Sequence, residues 1–198
     1  MNLPNQLTVA RLVLTLVFVG LLSIEGADFA GGFAKTAALL VFAVAAATDF
    51  LDGYLARKHG MITTFGKLMD PLADKVLMCA GFVLLTRLEL IPAWVVILIL
   101  SREFLVTGLR LLASAEGVVL AAENVGKYKT IAQIVTILYF LVFLASQEPA
   151  LGWLKPLFSA SYLGPEHLGV LLVGLSLVLT LWSGLSYVWK NRQLLRDC

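Results

Sequence analysis

Long uninterrupted apolar runs constrain this chain more than any other feature. Six can be read, over about Leu7 to Ser23, Phe33 to Arg57, Gly66 to Leu85, Ala93 to Ser114, Val125 to Ala145 and Leu168 to Trp189. A bilayer core about 30 Å thick takes about 20 helical residues to cross. No water is available there, so the backbone must satisfy its own hydrogen bonds, and a helix does this within one segment. The alternation of a membrane β-barrel strand is absent. Composition agrees: 60% of residues are hydrophobic and 14% charged, against about 25% charged in soluble domains. The expectation is an all-α integral membrane protein, a six-transmembrane-helix bundle forming a single domain over residues 1–198.

Charge placement gives the expected orientation. With six spans both termini share a side, and that side collects Arg11, Arg57, Lys58, Lys67, Lys75, Arg102, Arg110, Lys127, Lys129, Lys190, Arg192 and Arg196, leaving Lys35, Arg87 and Lys155 opposite. The positive-inside rule then puts the termini in the cytoplasm. The connection from Gln147 to Glu166, with Pro149, Pro156 and Pro165, falls outside. The first run lacks a small-residue cleavage site and reads as a retained helix. Cys79 and Cys198 do not make a disulfide framework. A net charge of +2, without a basic run interleaved with aromatics, excludes a nucleic-acid binder. Trp94, Trp153, Trp182 and Trp189 suit an interfacial belt, and Gly169 and Gly174 suit close helix packing or dimerisation.

Against this background four of the six aspartates stand together, as Asp49, Asp52, Asp70 and Asp74. A carboxylate at a helix centre in lipid costs roughly 2.5–3.5 kcal/mol on insertion scales, so the cluster needs a function. At about 100° per residue, Asp49, Asp52, Gly53 and Ala56 share one helix face, and Asp70 and Asp74 share another. A short loop joins the two helices, so the pairs can converge. Four oxygen donors without His or Cys select a hard cation, Mg²⁺, Mn²⁺ or Ca²⁺, and the number suits a two-metal site acting on phosphoryl oxygens. Gly53 and Ala56 leave room for a flat ring, and Arg57 offers a planar fork to phosphate. A metal-bound diphosphate beside a nucleotide fits that set.

The full pattern, D-x2-D-G-x2-A-R-x8-G-x3-D-x3-D from Asp49 to Asp74, resembles the signature of the CDP-alcohol phosphatidyltransferases. The resemblance implies six transmembrane helices, a homodimer, and a cytoplasm-facing cavity with two divalent ions, Mg²⁺ or Mn²⁺. It implies that Asp49, Asp52, Asp70 and Asp74 bind metal and that Asp74 is also the general base. It assigns Asp52, Gly53, Ala56, Arg57, Thr63 and Gly66 to the CDP-lipid, with Asn5 and Thr8 beside them.

The opening Pro4–Asn5…Leu7–Thr8…Arg11, the stretch Arg102 to Arg110, G-K-x-K-T-x2-Q from Gly126 to Gln133, and L-T-L-W-S-G-x2-Y from Leu179 to Tyr187 are similar to the bacterial branch whose acceptor is glycerol 3-phosphate. That likeness implies transfer of phosphatidyl from CDP-diacylglycerol to sn-glycerol 3-phosphate, giving phosphatidylglycerol phosphate and CMP at the bacterial cytoplasmic membrane. The residues themselves allow it: Arg11, Arg102, Arg110, Lys127 and Lys129 are cations in or beside apolar spans, which an acceptor phosphate would require. The alternatives are an internal Arg–Glu pair between neighbouring helices for Arg102 and interface anchoring for Lys127 and Lys129. At the level of function they are another acceptor, inositol phosphate or serine, and a cation transporter with the carboxylates as its ion site. The transporter needs acids near the midplane and a path to both faces, whereas all four aspartates lie toward one face.

Overall fold

A computed structural model describes residues 3–23, 32–59, 64–115, 124–159 and 162–190, and all regular structure among them is helical. Six long helices fall on the six apolar runs: α1 (Leu3–Ser23), α2 (Ala34–His59), α3 (Thr64–Arg87), α4 (Ala93–Ala115), α5 (Asn124–Ala145) and α7 (Val170–Lys190). A seventh, α6 (Lys155–Ser159), is short and lies in the connection before α7. That connection is more regular than its prolines suggest. A 3-10 turn over Pro149–Leu154 and a π turn over Pro165–Gly169 flank α6. Each starts at a proline, whose φ near −65° and missing N–H suit the first position of a helix.

The helix ends have identifiable partners. Chain reversal between α3 and α4 closes with Glu89 N–H to Thr86 O (3.0 Å) and Leu90 N–H to Leu85 O (3.0 Å), the paired bonds of a Schellman stop. Glu89 takes the left-handed position at φ 59°, where glycine is usual. From the same end Arg87 donates Nη1 to Leu22 O and Ser23 O at 3.3 and 3.2 Å, covering the carbonyls that end α1. The start of α2 is covered from far along the chain. Glu148 accepts from Lys35 N–H (2.7 Å), Thr36 N–H (2.8 Å) and Thr36 Oγ1 (2.7 Å), placing a carboxylate on the positive end of that helix.

Packing runs α1 against α2 and α3, α5 against α2 and α7, and α4 against α7. Phe18 and Phe42 meet at 5.3 Å in the apolar core with Phe82, Leu85, Ile99, Ile137 and Phe140. Gly81 and Gly169 admit close approach: an added Cβ would come 2.8 Å from Ile137 Cδ1 and 3.0 Å from Phe140 Cζ respectively. Gly174 has nothing within 4 Å of such an atom, so it faces outward.

Polarity is distributed the opposite way from a water-soluble bundle. Arg11 is 1% exposed while Leu16 and Leu185 are 72% and 71% exposed. Lys129, Gln133, Thr136, Ser176, Thr180 and Ser183 are buried as well. Apolar side chains outside and hydrogen-bonding ones inside are what hydrocarbon surroundings favour. Among the described residues two segments, Gly126–Ala145 and Pro165–Lys190, are long and apolar enough to cross a membrane, and Thr8–Ser23 and Ala34–Thr48 form shorter apolar helices.

Candidate active site

Helix α2 passes through Asp49 and Asp52 toward its C-terminal end, and α3 passes through Asp70 and Asp74 in its first turns. Each pair therefore has the helical spacing that puts two carboxylates on one face. Consecutive helices of opposite direction bring both ends to the same end of the bundle. The side chains of Asp49, Asp52, Arg57, Asp70, Asp74 and Asn5, with Gly53, Ala56, Gly66 and the whole of Thr63, lie outside the described residues. Among the described residues no cluster of three His, Cys, Asp or Glu groups occurs. The opening of α1 reaches the same end and brings Thr8 and Arg11, each 1% exposed, into the packing with α2 and α3.

One residue beyond Asp74, Lys75 lines a pocket that α3, α4 and α5 enclose, about 350 Å³ of empty space including its open mouth. Glu103 and Lys129 line it too and pair with one another across α4 and α5. Arg102 Nη1 lies 3.5 Å from the same Glu103 carboxylate. Lys75 faces the Glu103–Lys129 pair from the α3 wall of the same pocket. Three cations thus gather around one carboxylate in a setting that screens them less than water does. The surplus of positive charge suits a bound anion, and a lysine ammonium and an arginine fork are both good phosphate partners.

The α5–α7 seam explains why these residues can sit inside. Lys129, Gln133 and Thr136 follow one stripe of α5, and Ser176, Thr180 and Ser183 follow one stripe of α7. Gln133 Nε2 donates to Thr180 Oγ1 at 3.0 Å, and the Thr136 and Ser176 hydroxyls meet at 2.8 Å. Continuing that antiparallel register by one turn sets Lys129 level with Gly184. Arg102 lies there, its Cγ 2.8 Å from where a Gly184 Cβ would be. A larger residue at 184 would displace the guanidinium from Glu103.

The sequence-based candidates for an acceptor phosphate therefore separate. Arg102 and Lys129 come together at Glu103. The alternative for Arg102, a pair with a glutamate on a neighbouring helix, takes another form: Arg102 meets Glu103 on its own helix, and the interhelical pair belongs to Lys129. Arg110 stands apart, its Nε 3.4 Å from the Tyr187 hydroxyl and its guanidinium 5.4 Å from that ring's centroid. Lys127 is exposed. Lys75 has no sequence signal, and Glu103, Gln133 and Thr180 stand inside the quoted motifs without a site role of their own. A signal for the last two exists: polar residues recur every three or four positions through the middle of otherwise apolar spans.

Comparison with known proteins follows the same lines. The sequence profile of the CDP-alcohol phosphatidyltransferases matches residues 1–182. A relative from Bacillus subtilis named CDP-diacylglycerol–glycerol-3-phosphate 3-phosphatidyltransferase is 45% identical over 143 residues, 69% of this chain and 74% of its own. Proteins of the same name from Rickettsia typhi and Shigella flexneri are 32% identical over 186 residues and 35% identical over 206 residues. The first alignment covers 94% of each chain, the second 99% of this chain and 98% of the relative.

Proposed function

Because this chain belongs to the CDP-alcohol phosphatidyltransferase family, we propose that it moves the phosphatidyl group of CDP-diacylglycerol onto sn-glycerol 3-phosphate, releasing CMP. The observation that carries the choice of acceptor is the pocket of Lys75, Glu103 and Lys129, with Arg102 beside it; Lys75 follows Asp74 in the sequence of α3. An acceptor bearing a phosphate monoester matches its charge, and serine does not. The names of the relatives support the same acceptor.

Members of the family generally depend on a divalent metal, and the donor set here fits one. Two helical carboxylate pairs with no nitrogen or sulfur ligand suit Mg²⁺ or Mn²⁺, held by Asp49, Asp52, Asp70 and Asp74, two ions by the resemblance. Bound there, the metal would polarise phosphoryl oxygens and stabilise the leaving phosphate. The chain's own groups do the rest. Arg102, Lys129 and Lys75 hold the acceptor phosphate, with Glu103 fixing the first two. Asp74 takes the proton of the acceptor hydroxyl as its oxygen bonds to the β-phosphorus, and the bond from that phosphorus to the CMP oxygen breaks. Gly53, Ala56, Arg57, Thr63 and Gly66, with Asn5 and Thr8, line the nucleotide side. Arg11, buried at that end, is a further cation for the acceptor phosphate. Exposed Lys127 and Arg110 draw the anion toward the mouth.

The same proposal has all six long helices crossing the bacterial cytoplasmic membrane as one catalytic unit, with both termini and the aspartate end in the cytoplasm, and a homodimer. Purified protein in detergent, given CDP-diacylglycerol and Mg²⁺ or Mn²⁺, is expected to release CMP with glycerol 3-phosphate. Release with serine or inositol phosphate, and none with glycerol 3-phosphate, would overturn the assignment.

A further inference from the structure

Gln133 is 3% exposed and lines the pocket together with Glu103 and Lys129. Its amide orientation follows from its partner. The Thr180 hydroxyl has a single proton, which it donates to Ser176 O at 2.6 Å. Toward Gln133, 3.0 Å away, that hydroxyl can therefore only accept, so the glutamine must present its NH₂. The amide oxygen is turned from the seam and left for the pocket. The other polar groups lining the pocket are Lys75, Lys129 and Glu103, the Cys79 thiol, and the Thr130 hydroxyl, whose proton goes to Gly126 O at 3.1 Å. An amide oxygen facing a pocket accepts from a ligand hydroxyl, and the cations beside it serve the ligand's phosphate.

We infer that Gln133 is a specificity-determining residue, its amide oxygen accepting a hydrogen bond from the hydroxyl of the acceptor that does not react. The inference rests on the acceptor reading above and deepens it. The ligand class becomes a polyol monophosphate with a hydroxyl to spare, beyond any alcohol carrying a phosphate. Thr180 is then a positioning residue, because it fixes which end of the amide faces the substrate.

The test compares glycerol 3-phosphate with 3-hydroxypropyl phosphate, which lacks the middle hydroxyl, using full-length protein in detergent with CDP-diacylglycerol and Mg²⁺. The wild type is expected to favour glycerol 3-phosphate by about tenfold or more in kcat/KM, because a site built to bond a hydroxyl rejects the analogue without it. Gln133→Met should bring the ratio close to one by raising KM for glycerol 3-phosphate, and KM for CDP-diacylglycerol reports whether the bundle is intact. Thr180→Val leaves the amide in place and lets it rotate, so the ratio should fall by a smaller factor. Should Gln133→Met not assemble, Thr180→Val decides on the same ratio. A wild-type ratio near one, or an undiminished ratio in the variants, overturns the inference while glycerol 3-phosphate stays the acceptor. Absence of turnover with glycerol 3-phosphate, with turnover on serine or inositol phosphate, overturns the acceptor reading and this inference with it.

Discussion

Asp74 carries two proposed duties, and a substitution can separate them. Asp74→Asn keeps an oxygen donor and removes the base. Turnover should fall by at least about 100-fold, the lower range of general-base contributions, while CDP-diacylglycerol still binds in a filter or calorimetric assay. Unchanged turnover would remove Asp74 as the base. The Glu103–Lys129 pair makes a second prediction. Removing one partner of a buried ion pair leaves a charge stranded and costs about 3–5 kcal/mol, whereas replacing both is close to neutral. Glu103→Gln should therefore lower the melting midpoint in detergent, and adding Lys129→Met should restore part of it, Arg102 still lacking its carboxylate, without restoring activity. Restored activity would show that Lys129 only anchors the helix. The aspartates were legible as chemistry because four acids in an apolar sequence are too costly to keep without a ligand to neutralise them. Glu103 was visible only as a neighbour of Arg102, since its partner lies 26 residues away on another helix.

Among the elements, the six long helices were legible from apolar length alone, because hydrocarbon leaves the backbone few choices. Their ends were not. The stop of α3 uses Glu89 where a sequence reading looks for glycine, and the start of α2 uses an acid 112 residues from Thr36. Neither leaves a local trace. The Glu148 clasp predicts its own size: three bonds to one carboxylate contribute about 1–3 kcal/mol together, after allowance for exposure to solvent. Glu148→Ala should lower the melting midpoint by that equivalent and Glu148→Gln by less, with turnover per folded molecule retained. An unchanged midpoint in Glu148→Ala would show that lipid headgroups or water replace the cap in full.

At the scale of the molecule, polar residues inside and apolar residues outside were foreseeable from the polar stripes of the spans, though which stripes meet was not. Pairing requires the register of α5 on α7, and period alone leaves that open. The proposed orientation predicts side-specific labelling. In a Cys79→Ala background, Cys198 should react with an impermeant maleimide only after the membrane is opened, and a cysteine placed at Ala150 should react in intact cells. The reverse pattern would invert the topology. The clasp on α2 also bears on how the protein is made. Lys35 and Glu148 are 113 residues apart, so in the proposed topology α2 enters the membrane long before its cap is synthesised. Until α5 has inserted and the segment behind it has emerged, the first amides of α2 must rely on water or headgroups. Completion of that end of the bundle is thus a late event in biogenesis, and it fixes the seating of the helix whose far end carries Asp49 and Asp52.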